Sequence, residues 1–314
     1  MPSIIQSALD PAGVQAARIE WLWWLMFWVT TVIFVLVVGA VAMAVRRGRS
    51  VAEPRPAEST LLRSVTIASL TSLAVLIGLL FASVITGRAI GSRPGVQPLV
   101  VRITGYQWWW SIEYLDEAPS QHFTTANELH LPVGRPIVLN LVASDVIRSF
   151  WMPRLHGKTD LIPGRLNWTW FQVDEAGVFR GQCAEYCGLQ HAHMGLVVVA
   201  EAPEDYERWA SAQRQNAPPA SSQEQVRGQD LVEHGPCAMC HTVRGTTAGA
   251  RTAPDLTHFA SRSAIAAAML PNTRENLQQW IADPQSLKPG ANMPRVPLSS
   301  DELNAVVAYL ESLT

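Results

Sequence analysis

The chain is short of cysteine and of charge. Only four cysteines occur in 314 residues. They fall in two tight pairs, 183/187 and 237/240, so none is left for a structural disulfide and both pairs read as cofactor ligands. Lys and Arg total 24 against 26 Asp and Glu, a formal charge of −2. With no basic surplus there is no electrostatic footprint for nucleic acid and no field for steering a highly charged partner. Internal repeats are also lacking. Two stretches have no charge at all, residues 21–45 and 64–87. Each is long enough to cross roughly 30 Å of hydrocarbon as a helix, which the core helix of a soluble domain seldom is. Both therefore read as transmembrane helices. The first begins too late and runs too long for a removable signal peptide, and no small-residue cleavage site closes it. Trp21, Trp23, Trp24 and Trp28 crowd its first half, as an interfacial aromatic belt would. The connection carries Arg46, Arg47, Arg49, Arg55 and Arg63, whereas the tail before it has only Arg18. That asymmetry puts the connection in the cytoplasm and both chain ends outside.

What is present is chemistry carried by the cysteines. In Cys237-Ala-Met-Cys-His241 two thiols flank two residues and a histidine follows at once. That pattern serves covalent attachment of a c-type haem, with the two thiols as thioethers and the imidazole as proximal ligand. A redox dithiol or half of a zinc site is the plainer reading of Cys-x-x-Cys, but the adjacent His and the lack of a second pair nearby disfavour it. Downstream, Met293 in Lys288-Pro-Gly-Ala-Asn-Met-Pro294 is the well-placed soft donor for the opposite face of the iron. Met is often only a core filler. Here it sits between two predicted helices. One opens at Asn272 or Thr273 and stops at Asp283-Pro284; the other opens on a Ser299/Glu302 capping box and repeats apolar residues at helical spacing. Motif, helix, methionine loop and helix together resemble a class I cytochrome c, an all-α fold.

Between the second apolar stretch and this domain the pattern is β. Pro98–Thr104, Pro136–Val142, Trp168–Val173 and Gly195–Val199 are short runs rich in β-branched and aromatic residues, bounded by Gly, Pro and Asp. They suggest a sandwich. Ala217–Ser222 then reads as polar and extended. The expected organisation is a tail and two membrane helices over 1–96, a sandwich over 97–203, a linker over 204–223 and the haem domain over 224–314. Haem c attachment needs an exoplasmic location, which agrees with the topology.

The second cysteine pair lies in Gly181-Gln-Cys183-Ala-Glu185-Tyr-Cys187-Gly-Leu-Gln-His191-Ala-His-Met194. Two thiolates, an imidazole and a thioether within twelve positions make a soft donor set suited to copper. This stretch resembles the binuclear copper (Cu-A) loop of cytochrome c oxidase subunit II. So do Gly105-Tyr-Gln-Trp-Trp-Trp110, Asp145–Pro153 and Gly157–Gly164. With two N-terminal membrane helices, a cupredoxin-like sandwich and a trailing haem domain, the similarity reaches nearly the whole chain and fits the variety with a fused cytochrome c. The resemblance implies that Cys183 and Cys187 bridge two coppers, that His191 and Met194 are terminal ligands, and that the Glu185 carbonyl completes one copper. It also implies that the Glu185 carboxylate helps hold a magnesium at the contact with subunit I, and that Trp108 stands where electrons reach the copper. Trp109 and Trp110 read as packing residues and His193 as a surface or supporting histidine. Glu58 falls where the family has an acidic residue near a proton-channel mouth; a solvated loop glutamate is the plainer reading.

One position departs from the family. Where its pattern has the second copper-ligating histidine, this chain has Arg148. A guanidinium stays protonated and has no lone pair for a metal. Recruiting His156 instead would require the chain to turn back at Pro153. The resemblance implies an electron-transfer subunit of a respiratory haem–copper oxidase in the cytoplasmic membrane. Electrons would pass from a soluble cytochrome c or similar donor through haem c and copper to subunit I, which reduces oxygen and pumps protons, with subunit III as a further partner and membrane lipid around the helices. No residue here builds the oxygen-reducing centre. Two alternatives stay open: a membrane-anchored cytochrome with a copper-depleted structural sandwich, and the small subunit of a related nitric oxide reductase.

Overall fold

The computed structural model describes residues 6–48, 57–92, 97–115 and 118–314. The chain divides into two compact units, Ala17–Ser92 and the remainder. The first unit consists of most of helix α1 (Val14–Arg47) and of helix α2 (Glu58–Gly91), each 34 residues long. Both expected membrane segments lie inside these helices. Their apolar side chains point outward on all sides, with Phe34 67% and Leu62 68% exposed. A helix apolar all round is stable only when something apolar surrounds it, and these two are long enough to cross a membrane. Arg46 and Arg47 close α1 and Glu58 opens α2, where each charge opposes the helix dipole. Arg49 and Arg55 lie outside the described residues.

The second unit opens on a sandwich of two five-stranded sheets. Strands β1 (Leu99–Tyr106), β2 (Trp109–Leu115), β3 (Phe123–Ala126), β5 (Pro136–Ala143) and β8 (Asn167–Gln172) form one, in the order β3-β2-β1-β5-β8. The other runs β4-β10-β9-β6-β7, from β4 (Glu128–Pro132), β6 (Arg148–Trp151), β7 (Thr159–Leu161), β9 (Gly177–Cys183) and β10 (Gly195–Glu201). Pairing is antiparallel except for β1 with β5 and β10 with β4. Alternate residues of β1 and β5 turn inward, and Val101, Ile103, Leu139 and Leu141 meet Leu129, Leu131, Phe179 and Val198 in a dry core. The four runs read as strands are β1, β5, β8 and β10.

The expected linker begins differently. Helix α3 (Pro203–Gln213) follows β10 and buries Tyr206, Ala210 and Gln213, and its Trp209 stacks on His130 with centroids 4.0 Å apart. Its apolar positions are spaced helically, but the charges between them hide the stripe in the sequence; only residues 214–222 are without helix. The C-terminal domain has helices α4 (Gln223–His234), α5 (Arg274–Ala282), α6 (Pro284–Leu287) and α7 (Ser300–Ser312), with a two-residue ladder of β11 (Ala264–Ile265) and β12 (Leu270–Pro271). Thr273 caps α5, and Ser299 with Glu302 forms the capping box of α7. Helices α4 and α7 cross closely at Gly228, where an added Cβ would lie 2.0 Å from the Ala305 carbonyl oxygen. Glycine is needed there for the two backbones to touch.

Candidate functional site

Cys237 lies in a short 3-10 turn (Pro236–Met239), and the amides of Cys240 and His241 both donate to its carbonyl, at 3.1 and 3.0 Å. The turn brings Cys237, Cys240 and His241 to the wall of one crevice, which Met293 also lines together with Leu256, Phe259, Ile265 and Trp280. His241 Nδ1 lies 2.7 Å from the Pro254 carbonyl. That carbonyl accepts the Nδ1 proton, so Nε2 keeps a free lone pair for a metal. Burial holds the ring below its ordinary pKa and thus neutral, as a ligand must be. Across the loop, Gln285 Nε2 donates to the carbonyls of Ala291 and Met293, at 2.7 and 2.8 Å, and fixes the methionine segment. Two thiols, a neutral imidazole, a thioether and an apolar lining fit a covalent haem.

Strand β9 and the loop before β10 carry the second set. The sulfurs of Cys183 and Cys187 lie 3.6 Å apart, Cys187 Sγ is 3.7 Å from His191 Nδ1 and 3.9 Å from Met194 Sδ, and Cys183 Sγ is 3.1 Å from the Glu185 carbonyl oxygen. A metal about 2.3 Å from two thiolates at the tetrahedral angle spreads them about 3.8 Å, so the spacing fits an ion held by both. The two neighbouring sulfurs titrate apart: Cys187 beside it holds Cys183, against its burial, down to about 5, while Cys183 and burial push Cys187 up. Cys183, Cys187 and His191 are the one group of three metal-capable side chains among the described residues. The Glu185 carboxylate is outside it, exposed and paired with Lys158 at 3.3 Å. His156 is not recruited. Its Nδ1 lies 2.7 Å from the Gly157 carbonyl and its Nε2 3.2 Å from Thr169 Oγ1. His193 contacts Gln190 at 2.7 Å, as a supporting residue would.

Arg148 stands beside the thiols, fully buried. Phe150 of β6 pairs with Cys183 of β9, which carries the start of β6 to the cysteine pair. One guanidinium nitrogen donates to the Gly105 carbonyl at 2.6 Å and the other to Asp145, while Nε has no hydrogen-bond partner. Asp145 also accepts the amides of Gln107 and Val146. Trp110 is buried against Phe150, and Trp109 stacks on Tyr106.

The two sites meet. Trp108 donates its indole N–H to the Cys187 carbonyl at 3.0 Å and also lines the crevice of Cys237, Cys240, His241 and Met293. Lys288, at the head of the methionine loop, is 3% exposed and donates to the carbonyls of Trp108, His193 and Ala266 at 2.9, 2.8 and 2.9 Å. Burial pushes its ammonium down to about 7. Gln190 of the cysteine loop donates to the Pro289 carbonyl at 2.8 Å. At the edge of this contact Ser263 donates its amide to Glu128 at 2.9 Å, and Glu128 in turn contacts His130, which also contacts Glu201. Sequence reasoning missed Lys288, since a lysine in a Pro-Gly loop ordinarily points to water. It missed the Glu128–His130 pair as well, for which period-two alternation around Leu129 was the available signal.

Residues 115–201 match the family described as cytochrome c oxidase subunit II, periplasmic domain, and residues 225–314 match cytochrome c. Cytochrome c oxidase subunit 2 of Alkalihalophilus pseudofirmus is 39% identical over 220 residues, 70% of this chain and 62% of the relative. That of Bacillus subtilis is 34% identical over 232 residues, 70% of this chain and 64% of the relative. The chain thus spans a little under two thirds of the length of these curated relatives. Among solved structures, the periplasmic domain of subunit II of cytochrome oxidase of Bradyrhizobium japonicum is 31% identical, covering 40% of this chain and 96% of that one with a TM-score of 0.36. Behind two apolar helices the chain thus carries, in succession, a domain of the cytochrome c oxidase subunit II periplasmic family and a cytochrome c domain, and it is similar over most of its length to relatives named cytochrome c oxidase subunit 2.

Proposed function

We propose that this chain is the electron-input subunit of a membrane-bound haem–copper oxidase, relaying electrons from a soluble donor such as a cytochrome c toward a catalytic subunit I that reduces oxygen. The observation that carries the reading is the position of Trp108, which walls the haem crevice on one side and bonds the Cys187 carbonyl on the other. Haem iron and copper, when bound, each accept and release single electrons. Cys237 and Cys240 would fasten the haem, and His241 and Met293 would be donors to its iron. Cys183, Cys187, His191, Met194 and the Glu185 carbonyl are the donors for copper. Lys288 and Gln190 hold the methionine loop against the cysteine loop, and the Trp108 ring reaches from one site to the other. An outside donor then meets the haem at its exposed edge, near Met239, which is 71% exposed.

The exposed Glu185 carboxylate is free to face a hard cation such as magnesium shared with subunit I, once Lys158 swings aside. Arg46, Arg47 and Arg63 favour a cytoplasmic connection between the helices and an outer, periplasmic position for both cofactor domains in a bacterial cytoplasmic membrane. The helices, which carry no cofactor ligand, then offer a surface for subunit I, with subunit III beyond it. Purification in mild detergent tests this: a large membrane subunit and covalent haem should accompany the chain, and donor-driven oxygen uptake should require both. A chain isolated alone, with haem but no membrane partner, would support the anchored-cytochrome reading that Arg148 favours. Uptake of nitric oxide instead of oxygen would assign the complex to the related reductases.

A further inference from the structure

We propose that the cysteine loop of this chain holds a single copper ion, and that Arg148 stands in for the second copper by supplying its charge. The proposal rests on reading the loop as a copper site and concerns what that site contains. A binuclear centre needs terminal donors on both metals. The loop provides one imidazole, His191, with Nδ1 3.7 Å from Cys187 Sγ, and one carbonyl, Glu185, 3.1 Å from Cys183 Sγ. Together with both sulfurs these make a complete soft set for one ion, with Met194 Sδ at 3.9 Å from Cys187 Sγ as a further weak donor. Nothing comparable remains for a second ion. Among the described residues no other imidazole joins the group, and both nitrogens of His156 are engaged elsewhere.

The place of the missing imidazole is filled, and filled by a cation. Arg148 has 0% exposure, and a buried guanidinium is costly unless it answers negative charge. Asp145 answers part of it. The strand that carries it pairs Phe150 with Cys183, which sets the guanidinium beside the cysteine pair. The guanidinium then supplies the unit of positive charge that a second cuprous ion would bring. Two thiolates carry two negative charges, which a pair of cuprous ions would cancel; one cuprous ion and one guanidinium bring the same positive charge. The slot is shaped for this side chain. A Cβ on Gly105 would lie 2.3 Å from Arg148 Cδ, so the absence of one on β1 is what admits the long stem.

The test is copper per covalent haem in the purified full-length chain after loading with cuprous copper, together with the electron spin resonance of the oxidised form. One copper per haem, with the hyperfine pattern of a single copper nucleus, is expected. In Arg148→His a guanidinium is exchanged for a lone-pair donor, and copper should double with a pattern of two equivalent nuclei. Two coppers in the unaltered protein would overturn the proposal, as would none under conditions that load Arg148→His. Should Arg148→His fail to fold, the count on the unaltered chain decides alone, and His191→Ala should lose that copper while keeping its haem. A chain without covalent haem would instead undo the proposed function, and copper counted per polypeptide would still decide the proposal.

Discussion

Replacing Lys288 with Met keeps most of the aliphatic stem and deletes the ammonium. The deleted group is 3% exposed and makes three hydrogen bonds of 2.8 to 2.9 Å. Below about pH 7, where the amine is protonated, each bond from this charged donor contributes about 1.5–3 kcal/mol net. Drawing an ammonium out of water costs several kcal/mol, but the variant also leaves three carbonyls without a donor at about 1–3 kcal/mol each. The expected loss is therefore about 3–5 kcal/mol, the range seen when one partner of a buried charged contact is removed. Two of the three acceptors belong to the sandwich, so the loss falls on docking of the haem domain more than on either fold. At about 1.4 kcal/mol per factor of ten, amide exchange over residues 288–293 should quicken by roughly two to three and a half decades. Hydrogen-exchange mass spectrometry on the full chain reads this directly, while the exchange of β1 and β5 should be unchanged. Unchanged protection over 288–293 would refute the argument that Lys288 pins the loop.

Met293→Ala should leave the haem covalently attached but lower its reduction potential, since a thioether opposite histidine raises it; an unaltered potential and spectrum would remove Met293 from the iron. Gly105→Ala should destabilise the sandwich by about 1–3 kcal/mol through the clash with Arg148, measured as a shift in chemical denaturation midpoint, and an unshifted midpoint would contradict the packing described. At His130, burial lowers the pKa but the bonds to Glu128 and Glu201 outweigh it and hold it above its usual value. A raised folded pKa contributes stability that is full below about 6.5 and is lost as pH rises through the folded value. His130→Gln should thus be less stable than the parent at pH about 6, with the gap closing toward alkaline pH; a gap that does not change with pH in thermal melts would count against the cluster.

Both cysteine motifs were legible in the sequence because each packs its candidate donors within a few residues: Cys237 to His241, and Cys183 to Met194. The helices α1 and α2 were legible from missing charge alone, and α5 and α7 from their caps. What the sequence hid depends on distant partners. Helix α3 reads as polar linker until His130 receives Trp209, and Lys288 reads as solvated until three carbonyls from separate loops converge on it. Arg148 was visible as a departure from a pattern. Its burial between Gly105, Asp145 and Cys187 depends on strand register, which motif spacing does not report.

The central claim, that haem and copper exchange electrons within this one chain, is tested most directly by flash reduction of the purified, fully loaded full-length protein. Haem reoxidation following the flash should be first order, should keep the same rate on dilution, and should slow when Trp108 is replaced by Ala. A rate that falls in proportion to protein concentration, or a haem that stays reduced beside oxidised copper, would contradict the account.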